Sequence, residues 1–71
     1  MTRRFEFIGG NSAKFWEITQ QGNTVSVCYG RLGAAGQQQN MNFQDRPSAR
    51  KYAEKLIAQK LAKGYVECAA V

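Results

Sequence analysis

Period-two alternation runs through the N-terminal part of this chain as far as Phe43, and a single stretch of helical period follows it. That order limits the fold more tightly than any other feature of the sequence. From Arg3 to Ile8, Phe5 and Phe7 alternate with Arg4 and Glu6, the pattern of a strand with one buried face, and Gly9-Gly10-Asn11-Ser12 ends it. Lys14 to Thr19 form a second strand, with Trp16 and Ile18 on one face and Phe15, Glu17 and Thr19 on the other. Gln21-Gly22-Asn23 tolerates positive φ and predicts a hairpin onto a third strand, Thr24 to Arg31, in which Val25, Val27, Tyr29 and Arg31 share a face. Small residues, Leu32-Gly33-Ala34-Ala35-Gly36, interrupt the pattern before a fourth strand from Gln37 to Phe43 that turns Met41 and Phe43 inward. Four strands in series predict an antiparallel meander.

Asp45-Arg46-Pro47-Ser48 reads as a helix start, because Asp45 can cap and Pro47 has no N–H for the first turn to leave unpaired. The helix is predicted to end near Lys63 with Gly64 as its left-handed stop. Ala49, Tyr52, Ala53, Leu56, Ile57 and Leu61 recur at spacings of three and four, an apolar stripe to lay across the sheet. Lys60 falls inside that stripe. Either its stem is buried and its ammonium reaches the helix C-terminus, or it aims past the sheet edge at a ligand or a buried carboxylate.

With 71 residues the chain has room for one small domain, expected over residues 1–71 with a core from about 4 to 67. No apolar run is long enough for a membrane helix and no export signal is visible, so a cytoplasmic chain that does not engage a membrane is expected. Ten Lys and Arg against five Asp and Glu give a net charge of +5, which favours anionic partners. The enzyme templates fail: the chain has no histidine, no nucleophile–base set, no phosphate-loop lysine and no paired carboxylates on one element. Cys28 and Cys68 lack zinc-site spacing and are expected to be free thiols, no metal or cofactor is expected, and the tail Cys68-Ala69-Ala70-Val71 is expected to be frayed. The glycines of residues 30–36 resemble a phosphate loop superficially, but they join two strands instead of opening a helix, which suits a connection with bulges.

The run Tyr29-Gly30-Arg31-Leu32-Gly33-Ala34-Ala35-Gly36-Gln37 resembles the core of WGR domains, named for a Trp-Gly-Arg triplet. Further blocks follow that family's order: Lys14-Phe15-Trp16-Glu17-Ile18 before the triplet, Phe43 and then Ala49 leading into the helix, and Lys60 through Lys63-Gly64-Tyr65 at the close. The resemblance implies an α+β fold, a sheet of four to five antiparallel strands with one C-terminal helix packed across it. Similar domains in poly(ADP-ribose) polymerases bind DNA near strand breaks, the triplet's aromatic residue packing on a terminal sugar and its arginine contacting DNA or a neighbouring domain. The domain also occurs in bacterial proteins resembling a molybdate-metabolism regulator, and in short bacterial chains. The transferase domain of the polymerases has no counterpart in this sequence, so the resemblance carries no polymerase activity.

Tyr29 stands where the family name has Trp; it keeps a flat ring that can stack, with less area than indole, and it can equally continue the Val25–Val27 face into the core. Arg31 needs a carboxylate, a phosphate or several carbonyls, so it either contacts an anion or braces Glu17 or Glu67. The expected function is non-catalytic nucleic-acid binding, DNA ahead of RNA, at ends, nicks or gaps. The site residues that this reading names are Tyr29, Gly30 and Arg31 with Gln37, Gln39, Lys14, Lys60, Lys63 and Asn11. The alternative is a protein-interaction module that docks through the Tyr29–Arg31 surface. A monomer is expected, a homodimer through an exposed sheet edge being the other arrangement.

Overall fold

The computed structural model describes residues Thr2–Cys68; of the tail expected to be frayed, Cys68-Ala69-Ala70-Val71, residues 69–71 lie outside them. The elements are β1 (Thr2–Gly9), β2 (Ser12–Gln21), β3 (Thr24–Arg31), β4 (Gln37–Asn42), α1 (Arg46–Ala62) and β5 (Val66–Cys68). They form one antiparallel five-stranded sheet in the order β4-β3-β2-β1-β5 with the helix across one face, an α+β fold. The meander of four strands is present as the alternation requires. The fifth strand corrects the expectation that Cys68 belongs to a loose tail, since Arg4 pairs with Cys68 and Glu6 with Val66. Three residues are too few for a period to register. What holds them is the free edge of β1 and a bidentate ion pair in which Arg3 Nε and Nη2 each donate at 2.7 Å to Glu67.

Phe5, Trp16, Ile18, Val25 and Val27 project from one face of the sheet into the core and are met by Ala49, Ala53 and Ile57 of α1. Two alanines one turn apart let the helix backbone approach the sheet closely, and the Phe5 and Trp16 rings fill the space beside them with centroids 5.6 Å apart. Leu61, expected in the stripe, remains 49% exposed, while Lys60 beside it is the last-turn residue that lies over the Trp16 ring. Phe15 departs in the other direction. It lies on the helix-free face, yet it is only 5% exposed. The connection after β3 turns back over its ring, tied by Leu32 N–H to the Ala13 carbonyl, and the Arg4 guanidinium stacks on it 4.7 Å from the centroid. A side chain at Gly30 would stand 2.9 Å from the Gly36 Cα, so this crossing needs glycine at both positions.

The helix start is built as the sequence predicts: Asp45 is extended and its Oδ1 accepts from the Ser48 N–H at 2.8 Å, with Pro47 in the first turn. Hydrogen bonds donated by Ser48 hold the Asp45 carboxyl below the usual carboxylate range. A value lowered by folding stabilises fully above the ordinary carboxylate range, and that stability is lost as pH falls through the lowered value. Asp45→Asn keeps an acceptor for the cap but does not titrate. It is expected to melt close to the parent at neutral pH and to lose less stability on acidification; circular dichroism melts from neutral to about pH 2 check this. At the other end Gly64, with φ of 98°, stops the helix and turns the chain into β5. Cys28 and Cys68 are free thiols on strands separated by β2 and β1. Among the described residues no helix is long and apolar enough to cross a membrane.

Candidate nucleic-acid interface

The antiparallel register decides which side chains meet. β2 and β3 pair Lys14 with Arg31 and Trp16 with Tyr29, and period two puts all four on the helix side. The same end of the sheet receives the last turn of α1, which carries Lys60 over the Trp16 ring, and the turn after Gly64, which brings Tyr65 beside it. The result is a shallow pocket of about 400 Å³ lined by Lys14, Trp16, Tyr29, Arg31, Lys60 and Tyr65, with Phe15 and Gly30 beneath.

Its electrostatics follow from where the acids went. Glu67 pairs with Arg3, Glu6 and Glu17 with Arg4 at 3.3 and 3.4 Å, Glu54 with Arg50, and Asp45 caps the helix. No carboxylate lines the pocket, and among the described residues none of Lys14, Arg31, Lys60 or Lys63 is in an ion pair. The brace from Arg31 to Glu17 or Glu67 is not made: Glu17 projects from the other face of the sheet, where Arg4 binds it, and Glu67 lies on β5, three strands from β3, where Arg3 binds it. Lys60 Nζ lies 5.5 Å from the centroid of Trp16 and 5.3 Å from that of Tyr65, while Lys14 Nζ lies 5.2 Å from Phe7 and 5.8 Å from Tyr65. Burial first, then the charges of Lys63 and Lys14, hold the Lys60 amine below the ordinary lysine value. An anion entering here gains the attraction of three cations and relieves their mutual repulsion.

Tyr29 is half-buried: its ring packs on the core, and its hydroxyl and Gln37 Oε1 lie within hydrogen-bond distance at 3.2 Å. Both readings of Tyr29 therefore describe part of it, the inner edge continuing the core and the outer edge open to the pocket. Gln37 orients that ring and is not itself at the pocket wall. Gln39 lies opposite Val27 on β4, one pleat further along, and Asn11 is exposed at the tip of the β1–β2 turn. Lys63 forms the helix C-cap, its N–H bonded to the Gln59 and Lys60 carbonyls; it acts on the pocket through its charge. Sequence reasoning assigned Trp16 to the core and left Tyr65 out. Trp16 is indeed buried, yet it also floors the pocket. The nearest signal was the lysine within the apolar stripe, whose stem needs apolar surface to lie along.

The family profile of the WGR domain matches residues 1–70. The chain is 43% identical over 65 residues to protein YehF of Escherichia coli K12 and 40% identical over 67 residues to YfeS of the same organism, covering 92% and 94% of its own length. A crystal structure of a Bacteroides fragilis protein superposes with a TM-score of 0.94 at 49% identity across 97% of the chain. The chain spans only 24% and 28% of the two Escherichia coli relatives and 20% of the Bacteroides protein. What is shared is the whole of this sheet and helix, and on that ground the chain belongs to the WGR domain family.

Proposed function

We propose that this domain binds nucleic acid without catalysing a reaction, holding DNA at strand ends, nicks or gaps in the cytoplasm. The observation that carries the reading is a pocket with three cations, aromatic walls and no acid at one end of the sheet. Membership of the WGR family supports it at the level of nucleic-acid binding. Arg31, Lys14 and Lys60 contact phosphates, Lys63 adds charge, and Tyr29 stacks on an exposed terminal sugar or base. Gly30 gives the backbone clearance beside the ring, while Gln37, Gln39 and Asn11 supply polar contacts along the rim. Entry of α1 into a groove plays no part, because its Ala49–Ala53–Ile57 face is buried on the sheet.

Fluorescence anisotropy with blunt, nicked and gapped duplexes and a matched single strand, titrated across salt, tests this. Neutralising about four phosphates makes log K fall with a slope near −3.6 against log[salt], about a 150-fold loss between 50 and 200 mM. Tyr29→Ala is expected to remove the preference for ends, whereas Tyr29→Phe, which keeps the ring, retains it. Absence of binding to every substrate at low salt by a folded chain overturns the reading and turns the Tyr29–Arg31 surface towards a protein partner.

A further inference from the structure

The pocket holds a lysine whose surroundings are unusual for a simple phosphate contact. Lys14 stands on a strand with its ammonium over Phe7 and Tyr65, and Lys63 lies at the helix cap outside the pocket wall. Lys60 differs from both. Its stem is fixed in the buried stripe of α1, its Nζ is wedged between the Trp16 and Tyr65 rings, and like charges face it from β2 and from the helix end. A carboxylate beside an amine keeps it protonated, and none lines this pocket. Burial of the stem end and the charges of Lys63 and Lys14 lower the amine from the ordinary lysine value. Desolvation together with a neighbouring cation is the environment that turns a lysine into a nucleophile towards carbonyl compounds. The remaining space, about 400 Å³ and open to solvent, admits a sugar with its flanking phosphates.

We propose that Lys60 captures aldehyde-bearing DNA: its Nζ forms a reversible imine with the open-chain aldehyde carbon of a base-free deoxyribose whose adjoining phosphates are held by Lys14 and Arg31. This rests on the nucleic-acid reading above. The ammonium first gives a proton to solvent, and the nitrogen lone pair adds to the carbonyl carbon to give a carbinolamine. Loss of water leaves the imine, and hydrolysis reverses each step. Nothing is oxidised or reduced, and no co-reactant besides water is needed. A sugar without its base is the substrate that suits a shallow pocket, since no base has to be accommodated beside the Tyr29 ring.

The full chain is incubated with a labelled gapped duplex carrying one base-free deoxyribose at the gap margin, and the imine is trapped with borohydride. A denaturing gel measures the covalent fraction, and peptide mapping of the wild-type adduct locates it without any variant. The adduct is expected on Lys60, and its rate of formation rises with pH from a lower value than for a free lysine side chain. Lys60→Arg, which keeps a cation but has no nucleophilic amine, is expected to reduce trapping about tenfold or more per duplex bound, its binding being measured separately on the borohydride-reduced, non-reactive duplex. Lys51→Arg, on α1 and outside the pocket lining, traps as wild type. An adduct on Lys14, Lys63 or the amino terminus, or undiminished trapping by Lys60→Arg, overturns the proposal with DNA binding intact. A second arm uses 2-deoxyribose 5-phosphate with borohydride and needs no duplex. Labelling of Lys60 ahead of the other lysines, with no duplex bound, keeps the amine site and removes the DNA reading; labelling of Lys60 in neither arm overturns the proposal.

Discussion

Gly36→Ala is expected to lower the melting temperature by about 10–25 °C, from about 2–4 kcal/mol of lost stability in a domain this small. Two costs combine at this position. With φ of 81° the backbone is in the left-handed region, where a side chain is strained by about 1 kcal/mol or more. The added Cβ also stands 2.7 Å from the Tyr29 carbonyl oxygen and 2.8 Å from Phe15 Cζ, and neither can retreat: one belongs to the β3 backbone and the other to a buried ring. Gly10→Ala separates the terms, because Gly10 has φ of 57° and nothing within 4 Å of its Cβ. It is expected to lose only the backbone cost, about 1 kcal/mol. Thermal melts of both variants give the difference, and a Gly36→Ala melt within a few degrees of Gly10→Ala removes the close crossing over Phe15 from the account. The crossing matters for the site as well, since Gly30 and Phe15 underlie the pocket and Tyr29 and Arg31 flank Gly30 in β3.

The second large effect is on binding. Lys14→Ala with Arg31→Ala is expected to weaken DNA binding at low salt about 100-fold and to halve the salt slope, from about −3.6 to about −1.8, on every substrate. These two residues face each other across β2 and β3, so an anion between them meets both, and no acid in the pocket competes for either. Net charge alone also attracts DNA, and a matched pair of changes measures that share. Arg46→Ala with Lys51→Ala removes the same charge from the first turns of α1, at the far end of the helix from the pocket, and is expected to cost only about threefold. Equal losses from the two pairs make the binding a property of the whole basic surface and remove the pocket from it.

Much of this molecule is legible in its local pattern. The alternation of Phe5 and Phe7, of Trp16 and Ile18 and of Val25 and Val27 determined three strands and the face each buries, because a strand turns every second side chain the same way. Asp45, Pro47 and Gly64 determined where the helix begins and ends, because their chemistry acts on the neighbouring backbone N–H and C=O groups. The presence of Lys60 in the apolar stripe was legible too, though not its surroundings. Tertiary structure alone decided the rest. β5 exists because β1 had an unpaired edge and Arg3 a carboxylate within reach, and no period is visible in three residues. Phe15 is buried because residues 32–36 fold back over a face the alternation assigns to solvent. The acid-free pocket has both origins, since alternation puts Glu6 and Glu17 on the helix-free face, while the pairing of β5 on β1 holds Glu67 beside Arg3 and away from the pocket. Alternation and capping act between neighbours and can be read along the chain; roofing of a ring, edge pairing and an ion pair such as Arg3–Glu67 act between residues that only folding brings together.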